Sequence, residues 1–388
     1  MQFRPELLDV QESPLVRIAT AAEQREDSLK LCYGESDMPT PEFICRASYD
    51  ASLDGHTFYT YPGGSLELRE AVGEKFLALH GVEYGSDEII CTVGAGMAIF
   101  LAVKALVGPG DNAIVVTPAY SIFASAITMS GGETRQVPLT CDGDRFHLDL
   151  DRIRHAVDSR TRMLIVNSPS NPTGWVISRE EQEALWLLAT EHDFMILSDE
   201  IYDRLVFDEP VATSFAGVAT DRDHLIVING FSKSYNMTGW RLGYGLAGKR
   251  LISLMTKASE FMTSSPPAMV QQAGIVALRD GEDYIRKIRD LYGQRRSYVM
   301  EQLQAIPHVS LPPPRGGFYA FMAIEGLTDS AAFAERLVGE TGVALAPGAA
   351  FGPAGEGYLR LCFASSEEIL QMALARFDEF MSRTETIP

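Results

Sequence analysis

Three short runs in this chain are apolar at every position: Ile114-Val115-Val116, Met163-Leu164-Ile165-Val166 and Leu225-Ile226-Val227-Ile228. A strand with one wet face alternates apolar and polar side chains, so unbroken runs of this kind belong to strands covered on both faces. Further strand candidates are Glu88–Thr92, Ala113–Thr117, Arg162–Asn167, Phe194–Asp199, Leu225–Asn229 and Leu242–Ala247, the three runs falling within them. Helical patterns lie between these strands at Met97–Val107, Ser121–Ser130, Asp149–Val157 and Arg179–His192. The last is preceded by Ser178, with Glu181 placed to complete a capping box. Strands alternating with helices predict an α/β fold, a mostly parallel sheet flanked by helices. Beyond about residue 285 the pattern changes to a long charged helix (Glu282–Gln304), a Pro-rich turn, a Gly-Gly-Phe-Tyr-Ala-Phe strand, another helix and the strand Tyr358–Phe363. This reads as a smaller α+β domain packed with residues from near the N-terminus.

Charge and cysteine usage remove several function classes. A formal net charge of −19 argues against a nucleic-acid surface. The five cysteines are scattered, with no C-x-x-C pair, so neither a disulfide framework nor a zinc site is expected, and no metal is. The N-terminal residues lack the apolar core of a signal peptide, and the most membrane-like stretch, 89–107, is broken by Gly94, Gly96 and Lys104. No membrane role is expected, and the default location is cytoplasmic.

In an open parallel sheet, ligands bind beyond the carboxyl ends of the strands. The polar residues just past the apolar runs are Gly94-Ala95-Gly96, Tyr120, Asn171, Asp199, Tyr202 and Lys233. Lys233 follows a strand after a short turn, and an amine in that crevice can form an imine with an aldehyde cofactor and then shuttle protons. Taken alone, it also reads as a surface lysine. Arg241 lies between Gly239 and Gly243, where its guanidinium can approach a phosphate bidentately. Gly94-Ala95-Gly96 leaves backbone N–H groups free at a helix N-terminus, or is simply a tight β–α turn. Asp199 is equally a helix cap, Tyr120 a core aromatic and Asn171 part of a Pro/Asn/Gly turn. Arg360 sits within an apolar strand, a costly place for a charge unless it is paired.

Together these segments resemble the fold-type I class I/II aminotransferases, the aspartate aminotransferase-like family. Ser232-Lys233 followed by Gly239-Trp-Arg241-Leu-Gly243 is similar to the family's lysine signature. Asn167-Ser-Pro-Ser-Asn171-Pro-Thr-Gly174 and Ser198-Asp199-Glu-Ile-Tyr202 match two further motifs, in the family's order and spacing. The resemblance implies a seven-stranded sheet and pyridoxal 5′-phosphate held by Lys233 as a Schiff base. It also implies catalytic roles for Lys233, Asp199 and Tyr202. Asp199 would pair with the cofactor's ring nitrogen, and Asn171 and Tyr202 would bond its phenolic oxygen. Tyr120 would stack on the ring, Gly94, Ala95, Gly96 and Arg241 would hold the phosphate end, and Ser232 would also bind the cofactor. Arg360 and Asn171 would clamp the substrate carboxylate, with the Gly34 turn lying against the substrate. Ser36 stands where the family usually has Pro. Tyr59, with Tyr61 close by, would reach the phosphate of a second subunit, implying a homodimer with composite sites.

The implied organisation is an N-terminal arm (1–14), a small domain (15–46 plus 286–388) and a large cofactor-binding domain (47–285). The implied reaction moves an amino group between an amino acid and a 2-oxo acid by a ping-pong mechanism. C–S β-elimination, racemisation or cyclisation would use the same groups, and a non-catalytic cofactor-binding regulator is a more distant alternative. Against the regulator, only 33 residues precede the Gly34 motif, too few for a DNA-binding segment. Gly243–Lys249 lacks the Ser/Thr of a P-loop, and Gly94-x-Gly96 lacks the third glycine of a dinucleotide fingerprint. No second arginine is clearly placed for a distal carboxylate. The stretch from Phe261 to Ala268, which the resemblance puts near the substrate side chain, is compatible with neutral, aromatic or dicarboxylic substrates.

Overall fold

The computed structural model describes residues 3–10 and 12–384. Residues 1, 2 and 11 of the expected arm and 385–388 of the expected small domain lie outside the described residues.

Seven strands form the main sheet: β1 (Ile89–Val93), β2 (Asn112–Thr117), β3 (Glu133–Pro138), β4 (Thr161–Asn167), β5 (Met195–Asp199), β6 (Leu225–Gly230) and β7 (Leu242–Ala247). Their order is β1-β7-β6-β5-β4-β2-β3, with β7 antiparallel to both neighbours and the other pairs parallel. The apolar runs are buried on both faces. Ile114, Leu164, Val166 and Val227 join one core, while Val115, Met163, Ile165, Ile226 and Ile228 join the other. Helices Ala95–Leu106, Ile122–Ser130 and Lys249–Met262 cover the second face. Helices Leu66–His80, Arg179–His192 and Ala268–Asp280 contribute to the first.

β3 has no counterpart among the sequence-level strand candidates. It is an edge strand, Glu-Thr-Arg-Gln-Val-Pro, whose side chains are mostly half-buried or exposed, so it carries no apolar run.

After helix Glu282–Ala305 comes a four-stranded antiparallel sheet: β8 (Val309–Ser310), β9 (Tyr319–Ile324), β10 (Ala346–Pro347) and β11 (Tyr358–Cys362), in the order β8-β9-β11-β10. The N-terminal segment joins it. Leu29 and Lys30 pair in parallel with Val343 and Ala344, and helix Pro14–Glu23 packs on helix Ser330–Thr341. Leu31 O then accepts from Cys362 N at 2.9 Å, which delivers Gly34 to the end of β11. Among the described residues, no helix is long and apolar enough to cross a membrane. No group of three or more His, Cys, Asp or Glu among them is placed to hold a metal ion.

Helix Arg179–His192 begins on a complete capping box. Ser178 Oγ accepts from Glu181 N at 3.2 Å, and Glu181 Oε2 accepts from Ser178 N at 2.7 Å. Ser178→Ala therefore lowers unfolding free energy by about 1 kcal/mol in chemical denaturation, with turnover unchanged. A loss under about 0.3 kcal/mol would mean that the cap is dispensable.

Candidate active site

The carboxyl ends of β4, β5 and β6 meet the start of β7 and the N-terminal strap in one cavity of about 540 Å³. Lys233, Ser232, Asp199, Tyr202, Asn171, Tyr120, Ala95, Gly96, Arg241, Gly34 and Arg360 all line it. Residues as far apart in sequence as 34 and 360 are thus brought together.

Lys233 sits on the turn after β6, and its Nζ donates to Gly34 O at 2.6 Å. The amine lies 5.8 and 5.9 Å from the ring centroids of Tyr202 and Phe318. Burial draws it down from the ordinary lysine value to about 8. The nearby Arg360 charge adds to that fall, while Glu35 and Asp199 partly oppose it.

Asp199 ends β5 and is only 5% exposed. Burial pushes its carboxyl up to about 7, opposed by the Ile201 N–H that donates to Oδ1 at 3.2 Å. Tyr202, three residues on, shares a 2.7 Å hydrogen bond with the Tyr319 hydroxyl. Burial raises both phenols well above their usual range.

Arg360, on β11, is 2% exposed. Its Nη1 donates to Asn171 Oδ1 at 2.9 Å and its Nη2 to Cys32 O, while Nε has no partner. Its guanidinium lies 4.5 and 4.8 Å from the ring centroids of Tyr319 and Phe351. Among the described residues, no acid forms an ion pair with Arg360 and no base forms one with Asp199. The structural salt bridge that a buried arginine suggests is therefore not what holds Arg360. Asn171 is itself positioned by Asn167, whose Oδ1 accepts from Asn171 N at 2.8 Å.

At the other end, Gly94 has φ +77° and precedes helix Ala95–Leu106. A Cβ there would overlap the Arg241 guanidinium, and one at Gly243 would overlap Ala95 N. The glycines thus allow an arginine and the start of a helix to converge on one spot, a cradle for an anion. Arg241 Nη1 also donates to Thr238 O at 2.9 Å.

Gly34 permits a comparably close approach, since a Cβ on it would overlap the Tyr319 hydroxyl. The departure at Ser36 has a visible use: its Oγ accepts from Met38 N at 3.1 Å and from Asn236 Nδ2 at 3.4 Å. Tyr59 does not line the cavity of its own chain and is 91% exposed. Tyr61 lies under the Arg69 guanidinium, 5.0 Å from the ring centroid.

Sequence reasoning missed Tyr319 and Phe351. The signal for Tyr319 was the register of the small sheet. Phe321 pairs with Arg360 and Tyr319 with Cys362, so the aromatics of β9 share a face with the arginine. Phe351 lies on a short turn with no comparable pattern.

A buried lysine at the carboxyl edge of a mostly parallel sheet, lining one cavity with a buried acid and a buried arginine, is an arrangement suited to binding an aldehyde cofactor and an anionic substrate. Residues 26–377 match the family model "Aminotransferase class I and II". The chain belongs to that family and is a pyridoxal phosphate-dependent aminotransferase. It is 38% identical to the aspartate/prephenate aminotransferase of Thermus thermophilus, over 93% of this chain and 92% of that one. It is 34% identical to aromatic-amino-acid aminotransferase 2 of Thermococcus litoralis, over 97% and 98%. The solved structure of Thermus thermophilus aspartate aminotransferase with maleate superposes with a TM-score of 0.92 at 37% identity, covering 98% of this chain and 99% of that one. The residues present fit the family's cofactor. The Gly94–Arg241 cradle suits a phosphate, and the unpaired Asp199 suits a protonated ring nitrogen.

Only the neutral amine attacks an aldehyde. With Lys233 lowered to about 8, the rate at which cofactor-free protein captures pyridoxal phosphate rises with pH and levels off above about that value. Stopped-flow absorbance measures it. A rate still climbing toward pH 10.5 would show that the amine keeps its ordinary affinity for protons.

Proposed function

We propose that this chain acts as a cytoplasmic homodimer, holds pyridoxal phosphate on Lys233, and moves an amino group between an amino acid and a 2-oxo acid in two successive half-reactions. The observation that carries this reading is a pair of buried ionisable groups outside any salt bridge, Asp199 and Arg360, lining one cavity with a lysine amine. An isolated buried charge is costly, so each calls for an ionic ligand. Asp199 would meet the cofactor's ring nitrogen. Gly94, Ala95, Gly96, Ser232 and Arg241 would take its phosphate, Asn171 and Tyr202 its phenolic oxygen, and Tyr120 its ring face. When bound, the cofactor supplies a conjugated ring that takes up the electron pair left on the substrate's Cα.

The chain's own groups do the rest. Arg360, with Asn171 beside it, grips the substrate carboxylate and fixes the direction of the Cα–H bond. The Gly34 backbone closes over the amine side of the cavity. Lys233, poised near neutrality by burial, accepts the Cα proton and returns it to the adjoining carbon. The division into a large domain (47–285) and a small one (15–46 plus 286–388) would place Lys233 and Arg360 on separate bodies that close on the substrate.

Phe58, Tyr59 and Tyr61 are exposed together, with Tyr49 and Leu53 nearby in sequence and also exposed. Such a patch supports an interface between subunits, across which Tyr59 would reach the partner's phosphate site.

Lys233→Ala should abolish both turnover and borohydride-reducible attachment of the cofactor, read by mass spectrometry. Attachment and turnover surviving in that variant would overturn the assignment. Arg360→Gln should keep the attachment but lower kcat/KM roughly a hundredfold, the value of a charged, two-pronged hydrogen bond. Sedimentation velocity should report a dimer, and Tyr59→Phe should weaken cofactor retention without unfolding the protein. A monomer with full cofactor affinity would sink the composite site.

A further inference from the structure

The cavity holds three cations, and each is already engaged by the chemistry above. These are Lys233, Arg241 against Gly94, and Arg360 beside Asn171. No other Lys or Arg lines it among the described residues. What remains of its wall is largely apolar. Phe351 lies 4.8 Å from the Arg360 guanidinium, so it borders the place where the substrate's α-carboxylate would sit. Leu15 opens helix Pro14–Glu23, which packs on the turn carrying Phe351. Tyr33 adjoins Gly34, and Ile122 covers Gly96. The one further acid, Glu35, lies on the same strap, where its Oε2 accepts from Thr238 Oγ1 at 3.1 Å.

The exposed aromatic segments point the same way. Residues 58–61 and 261–265, which include the exposed Phe58, Tyr59, Tyr61 and Phe261, contain no Lys or Arg. A carboxylate on the substrate's side chain would therefore be desolvated against leucine, isoleucine and aromatic surface, with Glu35 as the nearest spare charge. An uncharged apolar or aromatic side chain would bury against that surface with no such penalty.

We propose that the side chain of the amino donor is uncharged, apolar to aromatic. The proposal rests on the aminotransferase reading of the site and sets this chain apart from relatives named for aspartate. Its test uses the cofactor-loaded enzyme in two measurements. The first is equilibrium titration of the cofactor's absorbance with two unreactive ligands, 3-phenylpropionate and succinate. The second is the single half-reaction with phenylalanine, leucine, aspartate and glutamate in turn, without acceptor. The monocarboxylate should bind roughly tenfold tighter or more, and phenylalanine or leucine should convert the cofactor with a correspondingly higher second-order rate constant. Succinate binding as tightly as 3-phenylpropionate, or aspartate or glutamate reacting as fast as phenylalanine, would overturn the proposal. If no amino acid converts the cofactor, the aminotransferase reading fails instead, and the ligand titration still decides the charge preference of the cavity.

Discussion

Two buried ionisable groups held outside any salt bridge govern this molecule. Asp199 and Arg360 stand on different sheets, each removed from water, and no opposite charge on the described chain pairs with either. The fold tolerates them through hydrogen bonds: Ile201 N–H to Asp199, and Asn171 and Cys32 as acceptors for Arg360. Those bonds position the charges but leave Arg360 Nε without a partner and the Asp199 carboxyl shifted up to about 7. A site kept in this state favours a ligand that is cationic at one end and anionic at the other, which is what pre-organised electrostatics offers a catalyst.

The N-terminal strap is the structural counterpart of that electrostatic arrangement. Cys32 O accepts from Arg360 and Gly34 O from Lys233, so consecutive stretches of one segment touch both cationic side chains. Further along, Asp37 N donates to Ala364 O at 3.0 Å. Thr40 Oγ1 donates to Asn236 O at 2.6 Å and accepts from Trp240 Nε1 at 2.8 Å. The strap is thereby tied both to the end of β11 and to the loop that carries Lys233. Ser36 strengthens the second tie through Asn236, a bond that a proline at that position could not make.

Much of this was legible in the chain because buried parallel strands leave an unmistakable apolar record. β2, β4 and β6 correspond to the three apolar runs, and helix Arg179–His192 starts at its capping box and spans the expected range. Lys233, Asp199, Asn171 and Arg241 stood out because each follows or precedes a strand at the sheet's ligand edge. β3 left no such record, because an edge strand is half in water and its composition resembles a loop. Tyr319 was hidden for a different reason: an aromatic in a small-domain strand reads as core until its register against Arg360 is known.

The sequence by itself determined the class of sheet and marked out a candidate lysine and the residue types that could serve it, since these depend on local pattern and short-range spacing. Only the tertiary structure decided how the charges converge. β7 runs antiparallel to its neighbours, pairing Leu242 with Val93, and this brings Arg241 to the same edge as Gly94. Pairing of the N-terminal segment with the small sheet brings Gly34 onto Lys233 and against Tyr319. Such long-range pairings depend on the burial of whole faces and on strand order, which no stretch of the chain encodes alone.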